Sequence, residues 1–174
     1  HAEGGNTNAY GVASHSEGAG TTASGHTAHA EGGGTYANGA ASHAEGGGTH
    51  ADGNQSHAEG SGTYAYGNHS HTEGRGTQAK NTSEHASGNF NISSSAATEF
   101  GHSGNTLFSV GNGTDDDARH NAFEIRQNGD IYIIKDGIDV LLQDELSNVT
   151  IDQVIDSGTS ASTDAVSHNA VYEF

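Results

Sequence analysis

The sequence predicts a mainly β chain: a β-solenoid over residues 1–88, a small β module over 89–135, and a linker with the start of a C-terminal helix over 136–174. Three observations predict it. A fourteen-residue unit recurs without a slip from His1 to Gly88. Before Phe90 there is no Leu, Ile or Phe, and Val12 is the only Val, so this half cannot build a conventional core. Beyond Gly88 the repeat stops and larger apolar residues gather in short runs around turn signals.

The unit reads H-A-E-G-x-G-T-x-A-x-G-x-x-S, in six full copies and a truncated seventh. Its first position holds His1, His15, His29, His43, His57, His71 and His85, and its third holds Glu3, Glu17, Glu31, Glu45, Glu59 and Glu73. Gly fills the fourth position, Thr the seventh, Ala the ninth and Gly the eleventh, until Asn81 breaks that last series. Fourteen residues with two Gly punctuations suit one coil of strand, turn, strand, turn. Side chains alternate along a strand, so His and Glu share one face while the intervening Ala and the preceding Ser share the other. Thr and Ala at positions seven and nine share a face as well, and Ala, Ser and Thr are small enough to fill a narrow coil. Each coil adds a rise of about 4.8 Å, so six span roughly 29 Å.

An Ala-filled coil buries too little apolar surface to stand alone. The missing burial is expected from neighbouring copies, most economically a parallel homotrimer. The segments Ser42–Gly46 and Ser56–Gly60, both S-H-A-E-G, and the x-x-T-x-A-x-G that follows resemble the head repeat of YadA-like trimeric autotransporter adhesins, where S-V-A-I-G takes that place. The resemblance covers residues 1–88 and implies a left-handed β-roll. It also implies that the His and Glu positions face inward between subunits, as a polar ladder where the adhesin heads carry aliphatics.

Six identical His-x-Glu pairs along a rod are not the single constellation that catalysis requires, so no enzyme is expected. Imidazole with carboxylate suits zinc, nickel or iron. A hydrogen-bonded ladder within or between chains accounts for the regularity more simply than metal at every level. One step differs: His69 and His71, two apart, would point the same way on a strand and bring six imidazoles to a trimer axis, enough for an axial transition-metal ion. Similar His-x-His steps occur in some phage tail-fibre tips and spikes. No other cofactor is implied.

The formal charge is −17, from 22 acidic and 5 basic residues, which excludes a phosphate-neutralising basic patch and disfavours anionic membranes. Without Cys there is no disulfide framework or thiolate site, and no apolar run reaches membrane-span length. Because the chain opens inside a repeat, it is expected to be part of a longer protein.

After the repeat, residues 105–110 read as a strand and Gly111–His120 as a polar, acidic loop. Asp115, Asp116 and Asp117 lack EF-hand spacing and are expected to be solvated rather than to hold calcium. Phe123–Arg126 and Ile131–Ile134 flank Asn128-Gly129, a strong hairpin signal. Residues 138–142 and 149–155 are apolar stretches of undetermined type, and Thr163 is the expected cap of a helix continuing to Phe174. The segment Leu107–Ile133 and the phrase SGTSASTDAVSHNAVYEF resemble β modules and helix entries of phage and prophage tail-fibre proteins.

These resemblances imply a structural segment of a homotrimeric tail fibre on the virion, used to attach to a host receptor or glycan. The alternative is the head of a trimeric autotransporter adhesin at a bacterial surface. A third is ice binding through the Thr column, although Thr shares parity with the coil-filling Ala. Exposed Tyr36, Tyr64 and Tyr66 are candidates for sugar contacts. The His column predicts acid sensitivity, with the fibre weakening below about pH 5 as charge crowds along it. An unchanged melting temperature from pH 7 to pH 4 would refute that.

Overall fold

In the computed structural model, residues 1–135 and 138–147 are described. The repeats form a β-solenoid of two parallel sheets. Each of the first five coils gives one longer strand, such as His29–Gly33, and one two-residue strand, such as Tyr36–Ala37; in the sixth both strands, His71–Thr72 and Gln78–Ala79, have two residues. Successive coils pair in strict register, His29 on His43, Ala30 on Ala44, Glu31 on Glu45. The short strands do the same, Tyr36 on His50 and Ala37 on Ala51. A sequence period of fourteen thus becomes one rung of backbone hydrogen bonds.

The interior follows the parity of the sequence. Ala30, Ala44 and Ala58 from the long strands, Ala37, Ala51 and Ala65 from the short ones, and Thr35, Thr49 and Thr63 between them are fully buried. Where Ser closes a coil it is buried too, and its hydroxyl donates to the Gly carbonyl three residues earlier: Ser42 to Gly39 at 2.8 Å, Ser56 to Gly53 at 2.7 Å, Ser70 to Gly67 at 2.6 Å. That bond lets a polar residue sit inside without an orphaned hydroxyl.

Both Gly columns are required by close backbone approach. A Cβ at Gly46 would stand 2.3 Å from the carbonyl oxygen of Gly60, and one at Gly39 would stand 1.9 Å from that of Gly53. The break at Asn81 has the same origin. Its own column ends there, because the six-stranded sheet stops at Gln78–Ala79 and no further short strand lies above it. A second turn carries a feature the sequence did not announce. The thirteenth position is left-handed in every full coil, with Ala13, Thr27, Ala41, Gln55, His69 and Ser83 at φ between 54° and 60°. Each non-Gly residue there costs roughly 1 kcal/mol.

The longer sheet does not end with the repeat. Thr106–Asn112 pairs parallel with His85–Asn89, placing Phe108 on His85, Ser109 on Ala86 and Val110 on Ser87. Ser109 is fully buried, so this strand extends the coil wall by one more rung. Asn121–Arg126, Ile131–Lys135 and Ile138–Leu141 then add antiparallel, completing an 11-stranded sheet. The expected turn at Asn128-Gly129 is present, with Gly129 at φ 93° and its N–H donating to Arg126 O at 2.9 Å. Residues 138–141, undetermined from sequence, form a strand, and Leu142–Ser147 is a short helix. The helix expected after Thr163 and the stretch 149–155 lie outside the described residues. Among the described residues no helix is long and apolar enough to cross a membrane.

The Gly columns give a paired test. Gly46→Ala should destabilise by about 3 kcal/mol or more through the carbonyl clash. Gly47→Ala, whose Cβ meets nothing within 4 Å, should be nearly neutral. Equal melting curves for the two variants, followed by circular dichroism, would refute the close-approach account.

Candidate functional site

Strand alternation turns the His and Glu positions out of the coil, and strict register piles like on like. From His15 to His71 the imidazoles stack face to face at 4.7–4.8 Å with interplanar angles of 3–4°. His1 tilts away at the exposed end, while His85 meets the edge of Phe108 at 5.3 Å. All thirteen residues of the expected ladder therefore lie on one outer face, the Glu column beside the His column.

The contacts between the columns are long. His15 and His29 reach Glu17 and Glu31 of their own rung at 3.6 Å. His43 and His57 both face Glu45, each at 3.9 Å and each toward a different carboxylate oxygen. Further along, His71 reaches back to Glu59 and His85 to Glu73, both at 3.6 Å. Within one chain these separations exceed hydrogen-bond length. The Nε2 atoms of His15, His29, His43, His57, His71 and His85 are buried and have no hydrogen-bond partner. Burial, reinforced by the neighbouring His71 and His43, pushes the His57 pKa below its ordinary 6.5, with Glu45 pulling the other way. Protonation there favours the unfolded chain, so the stability it contributes is present above pH 6.5 and lost as pH falls below that value. One carboxylate per rung leaves neighbouring charges about 4.8 Å apart, where repulsion in water exceeds thermal energy.

His69 does not join His71. It sits exposed in the left-handed turn at φ 58°, its N–H donating to Asn54 O at 2.8 Å, two residues before the strand His71–Thr72 begins. The alternation that would align the pair applies only within a strand, so the geometry expected for the His69–His71 step is corrected: His71 alone lies in the column. The side-chain sets close enough to hold an ion are instead His29, Glu31, His43; His43, Glu45, His57; and Glu59, His71, Glu73, with ligand atoms within 4.8 Å of one another in each.

On the short-strand sheet a second column stacks Tyr36, His50 and Tyr64 at 4.7 Å, with Tyr66 beside Tyr64 at 5.6 Å. The sequence had marked the tyrosines but not His50, which lies off the first-position series yet one period from both Tyr36 and Tyr64. The Thr column faces inward: Thr21, Thr35, Thr49, Thr63 and Thr77 are fully buried and offer no hydroxyl row to ice. Asp115 accepts from the N–H groups of Asp117 and Ala118 at 3.0 and 2.9 Å, and Asp116 pairs with Arg119, so the acidic loop satisfies itself.

One buried acid was not foreseen. Glu84 occupies the position that holds Ser42, Ser56 and Ser70 in earlier coils, and it is fully buried. Its Oε2 accepts from the Lys80 N–H at 2.9 Å and from the Asn81 N–H, Asn81 Nδ2 and Ser93 Oγ, each at 2.8 Å. In earlier coils the two equivalent N–H groups donate to the next coil, as Tyr66 and Gly67 do to Ala79 O. Glu84 thus replaces a missing rung. The paired departure from consensus, Asn81 for Gly and Glu84 for Ser, was the available signal. Burial pushes the Glu84 pKa up to about 7, against the opposing hydrogen bonds from Asn81, Ser93 and Lys80.

No family model, curated protein or solved structure matches the chain.

Because the folded pKa of Glu84 is raised, the unfolded chain ionises first, and stability falls as pH rises from 4.5 to about 7. Glu84→Gln should therefore gain on the unmodified protein by ~3 kcal/mol between pH 4 and pH 8. Denaturant melts at both pH values give the difference; no change across that range would refute the burial account.

Proposed function

We propose that this chain is a structural segment of a homotrimeric phage or prophage tail fibre, part of the receptor-binding apparatus at the virion surface. Three left-handed β-rolls run parallel, with their His and Glu columns facing one another. The observation that carries this reading is the pairing of a solenoid whose coils bury small side chains, mainly Ala, Ser and Thr, with an outer column of buried, unpartnered imidazole nitrogens. Small interiors leave stability short by what a single rod cannot bury, and a neighbouring chain packed on the His–Glu face supplies that burial. The work is geometric rather than catalytic: a rod of fixed pitch holds a binding surface away from its base. The partner is a host surface receptor or glycan. The Tyr36–His50–Tyr64 column, half-buried at His50 and Tyr64, with the exposed Tyr66 beside it, is one aromatic surface available to it.

The S-H-A-E-G repeat favours a second reading, the head of a trimeric autotransporter adhesin at a bacterial surface. Both readings require the same assembly, and the tail-fibre-like segment Leu107–Ile133 favours the first.

Light scattering at neutral pH, with chelator present, tests the assembly. The expected mass is three times 17.7 kDa. A folded monomer would overturn the fibre reading and leave the His–Glu face to solvent.

A further inference from the structure

The His–Glu face poses a chemical problem that its own chain leaves open. Around Glu45, the Nε2 atoms of His43 and His57 approach the two carboxylate oxygens at 3.9 Å, one each. Around His71, Nε2 lies 3.6 Å from Glu59, and Glu73 completes the group. Neither Nε2 in the first group, nor that of His71, has a hydrogen-bond partner. A neutral imidazole that carries its proton on Nδ1 presents a lone pair at Nε2. In that tautomer the lone pair faces a carboxylate, which is an acceptor as well, and a cation between them reconciles the two. In the other tautomer Nε2–H faces the carboxylate across a gap too long for a hydrogen bond.

The separations are too long for a shared proton, since a hydrogen bond between imidazole and carboxylate needs about 2.7–2.9 Å. Two ligand atoms on a tetrahedral ion with bonds of about 2.1 Å stand roughly 3.4 Å apart. The His71–Glu59 contact is 3.6 Å, the two contacts to Glu45 are 3.9 Å, and each set lies within 4.8 Å, so the side chains close in when an ion binds. The side chains have room to adjust, because His43, His57 and His71 remain about a third exposed, at 36%, 36% and 34%. His43 and His57, stacked 4.8 Å apart at 3°, turn out of their parallel planes to share an ion. The donor set of imidazole nitrogen with carboxylate oxygen selects the borderline transition metals over calcium or magnesium, which take oxygen alone.

We propose that the outer face of the solenoid binds zinc-class divalent ions within a single chain. One ion is held by His43, Glu45 and His57, and a second by Glu59, His71 and Glu73, two sets that share no residue. Three protein ligands leave a fourth position for water or for a donor from another molecule. Each ion ties consecutive rungs together and offsets the charge of the carboxylates it binds. Both sets lie within one chain, so the proposal does not rest on the trimer: a monomer that binds zinc, or a trimer that does not, would each decide one question alone.

The test uses the full chain without an affinity tag, stripped with chelator and titrated with zinc chloride by calorimetry at pH 7.5. Two ions per chain are expected, with dissociation constants at or below about 10 μM and a melting temperature that rises with zinc. Cobalt(II) in place of zinc should give the visible absorption of a four-coordinate site. The double variant His43→Gln, Glu45→Gln, which also breaks the overlapping set His29, Glu31, His43, should bind one ion fewer, and Glu59→Gln, His71→Gln likewise. These side chains point out of the coil, so circular dichroism should match the unmodified protein. Absence of zinc heat and of the cobalt spectrum overturns the proposal, whatever the variants do. So does a stoichiometry that both variants leave unchanged, which would place the ions elsewhere, or equal displacement by calcium, which would mean charge screening only.

Discussion

The structure depends on one constraint: successive coils must approach to hydrogen-bonding distance along their whole length, in register, with nothing between them. The two Gly columns make that possible. At Gly32, Gly46 and Gly60 in one column, and Gly25, Gly39 and Gly53 in the other, the next coil's carbonyl occupies the space a Cβ would need. Once the backbones close to that distance, the cavity inside the coils is filled mainly by Ala, Ser and Thr, and the outer first and third positions become columns of like side chains. Composition is then a consequence of pitch. A low apolar content, which in a globule would mean disorder, here means that the backbone ladder carries the architecture.

Piling like on like has opposite effects for different side chains. Aromatic and imidazole rings stack at the rung spacing, and Asn38 and Asp52 form a hydrogen bond along their column at 2.7 Å. Carboxylates gain nothing from the same arrangement, since neighbours about 4.8 Å apart repel by about 0.9 kcal/mol even in water. The His column beside them is therefore more than decoration. The ladder's end poses the converse difficulty, exposed donors with no next rung, and side-chain amides and acids resolve it. Asn91 copies a backbone unit, its Oδ1 accepting from the Gln78 N–H at 2.7 Å and its Nδ2 donating to Gln78 O at 2.9 Å. Glu84 does the same for Lys80 and Asn81.

Much of this was legible in the sequence because the period is exact and the alternation is simple. The strand-turn-strand-turn coil, the small interior, the shared face of His and Glu, and the hairpin at Asn128-Gly129 all follow from spacing and residue size. What escaped had no such signature. The left-handed thirteenth position holds Ala, Thr, Gln, His and Ser rather than Gly, so composition gave no cue, and the place of His69 was misread with it. The continuation of the sheet through Phe108 escaped because its step from His85 departs from fourteen residues, and pairing is set by backbone register rather than by likeness of side chains. Glu84 escaped because a single acid in a repeat reads as variation until the missing rung beside it is seen.

The His–Glu face is where the fold's regularity becomes a chemical property. Its deficit is one of donors: imidazole nitrogens and carboxylates face each other across gaps too long for a hydrogen bond and too short for indifference. A proton on the imidazole, a divalent ion bridging two rungs, or donors from a neighbouring chain each supply what is lacking, and they compete for the same atoms. A proton crowds charge between rings stacked at 4.7–4.8 Å, so it suits alternate rungs better than all of them. A metal ion neutralises a carboxylate and ties adjacent rungs without adding charge to both rings. A neighbouring chain removes water from the whole face, which strengthens either solution by lowering the local dielectric. Register repeats the His–Glu pair from rung to rung, so a modest preference that acts at every pair is multiplied along the rod.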